Sequence, residues 1–113
     1  MMKSLVLGLL LAGNLLGFSD EPKIVKVKTS AICEMCKARI EKNLGFSKGV
    51  KDANLDLNDK VVTVTYDPGK TSEEKILQTI SKTGYDANLV PADPKGYDKL
   101  PSCCKKDSKM KHH

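Results

Sequence analysis

Two cysteines in the first third of the chain form the pattern with the clearest chemical meaning. Cys33 and Cys36 make a C-x-x-C pair, which is typical both of metal sites and of thiol–disulfide redox centres. The thiolate is the form of cysteine that binds soft metal ions. Because the spacing alone fits both chemistries, the elements that flank the pair must decide between them.

The flanking residues place the pair where a strand turns into a helix. Residues 23–29 alternate between lysine and β-branched side chains, which predicts a strand. Cys36, Ile40 and Leu44 recur at four-residue spacing with charges between them, which predicts an amphipathic helix. The free N–H groups and the dipole of a helix start favour negative charge and lower a thiol pKa. We therefore expect thiolates, with Cys33 more accessible and Cys36 shielded.

The remaining pattern completes a small domain. Further strands are predicted over residues 50–57, 60–66 and 85–90. Thr71 and Glu74 have the spacing of a capping box that begins a second helix, and Gly84 ends it. The inner face of that helix carries Ile76, Leu77 and Ile80. This order predicts an α+β, ferredoxin-like βαββαβ fold, in which a four-stranded antiparallel sheet has both helices on one face.

The two ends of the chain differ from this domain in composition. Lys3, an apolar run over residues 5–16, and the small residues Gly17 and Ser19 have the layout of a secretory signal peptide cut after Ser19. The run is shorter than the about 20 residues of a membrane span, although an uncleaved anchor is the alternative. We expect three parts: a signal peptide (1–19), the domain (20–90) and a flexible extension (91–113). The mature protein would be exported, for example to a periplasm, and would lie outside the membrane.

The predicted extension carries a second set of soft donors. They are Cys103, Cys104, Met110, His112 and His113. Thiol, thioether and imidazole groups together favour a secondary metal site, and a solvated tail without a role is the alternative. The tail could also fold back onto Cys33 and Cys36, closing that site or forming disulfides. Two structural disulfides are the default for four cysteines in an exported chain, but neither pair is placed to staple a core.

The composition argues against several other classes of function. The net charge of +5 comes from lysines spread along the chain, a pattern typical of a soluble surface. Three Tyr, two Phe and no Trp offer no set of aromatic platforms for nucleic acid. Both histidines are the last two residues, and no phosphate-loop or Ser/His/Asp signature occurs. We expect a monomer that is not an enzyme and binds no nucleic acid.

Several separated landmarks resemble the heavy-metal-associated domain family. They are the element order, the C-x-x-C at the first strand–helix junction, the step from Leu44 to Gly49-Val50, and Gly84-Tyr85 after the second helix. The resemblance covers residues 23–90. The family includes copper chaperones, metal-binding domains of P-type ATPases and periplasmic mercury-binding proteins, and the signal peptide with a single domain is most similar to the last group.

The resemblance implies ligand exchange rather than catalysis. Cys33 and Cys36 would hold Cu(I), with Hg(II) or Zn(II) as alternatives, until a partner's sulfur takes the ion. The implied partner is a membrane metal transporter or a P-type ATPase. Tyr85 matches a position near the metal in bacterial members, where it either shields the ion or fills the core.

One departure from the family pattern and two rival functions leave other hypotheses open. The family pattern is Gly-Met-x-Cys, and its methionine packs beneath the metal-binding loop. This chain has Ser30-Ala31 at the Gly-Met positions, so Ile32 or Met35 would take the place of that methionine. A periplasmic thiol–disulfide redox protein is the main rival, although such enzymes place an aromatic residue before the motif, where this chain has Ile32. A metal sponge without a partner is the other alternative.

Overall fold

The computed structural model describes residues 21–105. Its elements are β1 (Lys23–Lys28), α1 (Glu34–Gly45), β2 (Val50–Asp56), β3 (Val61–Tyr66), α2 (Glu73–Thr83), α3 (Pro94–Asp98) and a 3₁₀ turn, η1 (Ser102–Cys104). The predicted signal peptide lies outside the described residues, as do Met110, His112 and His113. Within residues 21–105, no helix has the length and apolar character needed to cross a bilayer.

The three strands form an antiparallel sheet in the order β1-β3-β2. Side chains alternate along β3, so that Val62, Val64 and Tyr66 are buried and the residues between them are partly exposed. Val62 lies opposite Val27 of β1 and Leu55 of β2. One apolar face of the sheet therefore lines the core.

Residues 85–90 do not form the predicted fourth strand, so that prediction is wrong. Ala87 makes only isolated bridges, with Thr29 and with Val90. Asn88 has a positive φ of 53°, which interrupts an extended backbone. Its side-chain Oδ1 accepts a hydrogen bond from the Lys28 N–H at 2.9 Å. The segment thus touches the end of β1 and then turns away, leaving a three-stranded sheet.

Both main helices contribute one buried stripe. In α1 the buried residues are Cys36, Ile40 and Leu44, as predicted, and in α2 they are Ile76, Ile80 and Ser81. Helix α1 packs on β2 and on α2. Leu77, predicted to face inward with Ile76 and Ile80, is only partly buried.

The start of α2 differs by one residue from the predicted capping box. Ser72 is the N-cap, and its hydroxyl accepts a hydrogen bond from the Lys75 N–H at 3.2 Å. Thr71 instead closes the preceding turn, because its N–H donates to the Asp67 carbonyl at 3.0 Å. At the other end, Gly84 has a φ of 114° and ends the helix as predicted.

The segment that we predicted to be flexible from residue 91 onward has defined elements through residue 105. The Asp93 N–H donates to the Ser81 carbonyl at 2.9 Å, and the Asp93 carboxylate caps α3 by accepting from the Gly96 N–H at 3.0 Å. Leu100 and Cys104 are 5% and 1% exposed and belong to the core. The segment is ordered despite its mostly polar composition, because these few apolar anchors and backbone hydrogen bonds hold it against the domain.

Gly96 provides a test of this docking. A Cβ at Gly96 would overlap the Lys82 carbonyl oxygen and lie 3.0 Å from the Gly84 nitrogen. We expect Gly96→Ala to lower the free energy of unfolding by about 1–3 kcal/mol through overpacking, measured by urea unfolding. The matched control is Gly45→Ala, whose Cβ meets nothing within 4 Å, so its stability should be unchanged or slightly higher. Equal losses in both variants would contradict this docking.

Candidate metal centre

The C-x-x-C pair lies at the junction of β1 and α1, as predicted. Cys33 is the N-cap residue of α1 with an extended backbone, and its carbonyl accepts a hydrogen bond from the Lys37 N–H at 3.0 Å. Cys36 lies in the first turn on the buried stripe. Their Sγ atoms are 3.1 Å apart. Cys33 is partly exposed and Cys36 is fully buried, which confirms the predicted difference in accessibility.

The loop before the pair is fixed by hydrogen bonds at both sides. The Ala31 N–H donates to the Thr29 hydroxyl at 3.2 Å. The Ser30 hydroxyl accepts a hydrogen bond from the Asp86 N–H at 2.9 Å, which ties the loop to the segment after α2. Ile32 is partly buried against the core. The position of Cys33 is therefore set by the fold rather than by a mobile loop.

The second cysteine pair comes to the same place. The Sγ atom of Cys104 is 3.7 Å from that of Cys33 and 3.8 Å from that of Cys103. The sulfurs of Cys33, Cys103 and Cys104 all lie within 4.8 Å of one another. Of the possibilities for the extension, the described residues 91–105 have the one in which it folds back onto the C-x-x-C pair, with Cys104 buried and Cys103 exposed.

Met35 adds a fifth sulfur at the edge of this cluster. Its Sδ atom is 3.7 Å from the Cys103 Sγ, whose thiol is the donor. Met35 is 50% exposed, so it does not take the place of a methionine packed beneath the loop. Ile32, which packs against the core, is the better match to that predicted role.

The Cys33 thiol has a lowered pKa. Burial opposes ionisation of the sulfur, but hydrogen bonding from the Cys36 thiol and the Cys36 backbone N–H lowers the pKa, and the thiols of Cys104 and Cys103 lower it further. Cys104 shows the opposite effect, because burial raises the pKa of its thiol and its neighbour Cys36 raises it further. Without an ion, Cys33 is thus the more readily ionised sulfur of these two.

Tyr85 lies against this cluster from the core side. Its side chain is fully buried, and its hydroxyl has no hydrogen-bond partner among residues 21–105. Burial raises the pKa of the phenol, and the neighbouring sulfurs of Cys104 and Cys36 raise it further. Tyr85 is therefore a core aromatic that keeps its proton and can act as a donor beside the sulfurs.

Comparison with known proteins decides the family. Residues 26–86 match the model of the heavy-metal-associated domain. The chain belongs to this family. The matched segment includes Cys33 and Cys36 but ends before α3 and η1. The family relationship thus covers the C-x-x-C pair, and the extension with Cys103 and Cys104 is an addition to the heavy-metal-associated domain.

Three relatives illustrate the relationship. A copper-exporting P-type ATPase of Bacillus subtilis is 39% identical over 67 residues, which are 59% of this chain but only 8% of that protein. The solved structure of the CopZ metallochaperone is 27% identical with a TM-score of 0.56, covering 57% of this chain and 98% of that one. The Cu(I)-loaded N-terminal domain of a potential copper-translocating P-type ATPase from Bacillus subtilis is 28% identical with a TM-score of 0.57, covering 61% and 88%.

The lowered pKa of Cys33 predicts its pattern of alkylation. The thiolate is the form that reacts with iodoacetamide. The alkylation rate of Cys33 should therefore reach half its maximum at a lower pH than the rate for an unstructured cysteine peptide. Cys104 is buried and has a raised pKa, so it should react slowly throughout. Peptide mass spectrometry of the reduced, metal-free chain measures each rate. A Cys33 profile that matches the peptide would contradict the lowered pKa.

Proposed function

We propose that this heavy-metal-associated domain captures Cu(I), or a similar soft ion such as Hg(II), at Cys33 and Cys36 and passes it on by ligand exchange. The observation that carries the proposal is the arrangement of these two sulfurs. They lie 3.1 Å apart at the start of α1, inside the segment that matches the family, with one sulfur accessible and the other buried. Soft thiolates favour Cu(I) over harder cations.

The unequal positions of the two sulfurs suit a stepwise exchange. An incoming ion meets Cys33 first, because this sulfur is partly exposed and has a lowered pKa. Cys36 then binds from the buried side, and each thiol that binds releases its proton. For hand-over, one thiolate of the partner bonds to the ion as the bond to Cys33 breaks, and a second partner thiolate then bonds as the bond to Cys36 breaks. The protons that the partner's thiols lose balance those that Cys33 and Cys36 take up. The ion keeps its oxidation state throughout.

The copper relatives support the choice of ion and the kind of partner. One of them is a copper-exporting P-type ATPase, and a solved relative is Cu(I)-loaded. We propose a partner of the same chemical type, a membrane metal transporter or P-type ATPase with a cysteine pair of its own. Residues 1–19, with their signal-peptide pattern, support a site of action outside the cytoplasm, such as a periplasm.

The rival functions use the same sulfurs. A thiol–disulfide redox protein would join Cys33 and Cys36, whose sulfurs are 3.1 Å apart, in a bond of about 2.05 Å. A metal sponge would bind the ion without a partner. The family match favours metal binding over redox chemistry, and a transfer assay separates a chaperone from a sponge.

Competition with a Cu(I) chelator under reducing conditions tests the proposal. Replacing Cys33 and Cys36 together with Ser should weaken Cu(I) binding by about a thousandfold or more, because both ligands are lost. The control is Cys103→Ser, an exposed position outside the matched segment, which should keep most of the affinity. Circular dichroism checks that both variants fold.

An unchanged Cu(I) affinity in the Cys33/Cys36 variant would contradict metal capture at the C-x-x-C pair. Weak Cu(I) binding by the native chain, together with catalytic turnover of a dithiol substrate, would favour the redox protein. Tight binding without transfer to the soluble domain of a copper ATPase would favour the sponge. Transfer within the mixing time, with no free ion trapped by the chelator, is the expected result.

A further inference from the structure

We propose that Cys103 and Cys104 join Cys33 and Cys36 in one four-thiolate site, and that this site binds a divalent d¹⁰ cation of the Zn(II) and Cd(II) class. The inference rests on the proposed function only in sharing the C-x-x-C pair. It adds ligands that lie outside the family's matched segment and a second class of ion, with a different coordination number.

The distances between the sulfurs carry this inference. A metal–sulfur bond of about 2.3 Å places the sulfurs of a tetrahedral site about 3.8 Å apart, and those of a linear site about 4.6 Å apart. The Cys33–Cys104 and Cys103–Cys104 distances are 3.7 and 3.8 Å, which match the edges of a tetrahedron. Cys33, Cys103 and Cys104 have sulfurs that all lie within 4.8 Å of one another, and Cys36 lies outside that group. The Cys36 sulfur is 3.1 Å from that of Cys33, so it is placed to become the fourth ligand once it moves toward Cys103 and Cys104.

The second pair is brought to the site by contacts that involve no sulfur. Leu100 is buried in the core just before η1. Gly96 packs on the end of α2, and Asp93 is hydrogen-bonded to Ser81. Because these contacts already order the turn, its two ligands need little further ordering when an ion binds. Such preorganisation distinguishes this pair from donors on a solvated tail.

Charge favours a divalent ion in the complete site. Four thiolates around Zn(II) or Cd(II) leave a net charge of −2, whereas around Cu(I) they would leave −3. Cys36 and Cys104 are buried, and excess negative charge is costly in such surroundings. Cu(I) is therefore better served by fewer of these sulfurs, and the divalent ion by all four.

The buried hydroxyl of Tyr85 is a second observation that points to bound thiolates. It has no hydrogen-bond partner among the described residues, although it lies beside the sulfurs of Cys36 and Cys104. A thiolate is a better acceptor than a thiol, so metal binding gives this donor a partner. Hydrogen bonds to ligating atoms are a common means of fixing a metal site.

The inference assigns a role to the extension. A two-thiolate site leaves Cu(I) open to attack by a partner's sulfur, whereas a filled tetrahedral site is closed. The extension thus retains divalent ions that the C-x-x-C pair alone would hold weakly, while Cu(I) can still be exchanged.

Titration of the reduced full chain with Cd(II) tests the inference. Thiolate-to-cadmium charge-transfer absorbance counts the Cd–S bonds, and native mass spectrometry counts the ions. We expect one Cd(II) per chain with four Cd–S bonds. Replacing Cys103 and Cys104 with Ser should halve the absorbance and weaken Cd(II) binding by about a hundredfold or more, while Cu(I) affinity changes by less than about tenfold.

Two Cd(II) ions per chain would overturn the single site, and so would an unchanged absorbance and affinity in the Cys103/Cys104 variant. Because Cys104 is buried, the single variant Cys103→Ser guards against misfolding, and it should lose about a quarter of the absorbance. Failure of the proposed function would look different, since Cu(I) binding would then survive loss of Cys33 and Cys36, whatever the Cd(II) result.

The role of Tyr85 predicts opposite effects of one substitution on two measurements. Tyr85→Phe removes a buried hydroxyl that has no partner in the metal-free state, so the apo protein should be as stable as before or more stable. Cd(II) affinity should fall by about tenfold or more, because the ligands lose a hydrogen bond. Tyr66→Phe in β3 is the control and should leave Cd(II) affinity unchanged. Unchanged affinity in Tyr85→Phe would remove Tyr85 from the site.

Discussion

The close backbone contact between Gly84 and Gly96 is the constraint on which the centre depends. Gly84 ends α2 with a φ of 114°, and a Cβ there would lie 2.7 Å from the Gly96 carbonyl oxygen. The turn at Gly84 sends Tyr85 into the core, and the docking of Gly96 directs the chain so that Leu100 is buried and η1 reaches Cys33. Two residues without side chains thus bring together sulfurs that are 71 positions apart.

Sequence patterns predicted the parts of this fold whose periodicity is long and regular. The stripe of Cys36, Ile40 and Leu44 was sufficient because burial on a helix follows directly from the spacing of its apolar residues. The predicted strand over residues 85–90 failed because Asn88 takes a left-handed conformation, which Asn adopts more readily than most residues. The boundary of α2 moved to Ser72 because the preceding turn uses Thr71.

The sequence predicted the C-x-x-C half of the site but not its meeting with the second cysteine pair. The C-x-x-C pair has a local signal, since its position depends only on the strand and helix beside it. The meeting of Cys33 with Cys104 depends on anchors such as Leu100 and Gly96, which are too few and too irregularly spaced to form a period. The sequence shows a Leu four residues before Cys104. Only the structure shows that this Leu100 is buried beside Gly84 at the end of α2, which directs the chain toward Cys33.

The physical contrast between Cys33 and Cys104 connects the two proposals. Cys33 is accessible and its thiol has a lowered pKa, whereas burial raises the pKa of the Cys104 thiol. In the metal-free chain, Cys104 therefore stays protonated, and its negative charge appears only when a cation is close enough to compensate it. A divalent ion compensates more negative charge than Cu(I), so it can bind more of these cysteines as thiolates. The same four cysteines can in this way bind Cu(I) through two thiolates, which leaves it open to exchange, and bind a divalent ion through all four, which encloses it.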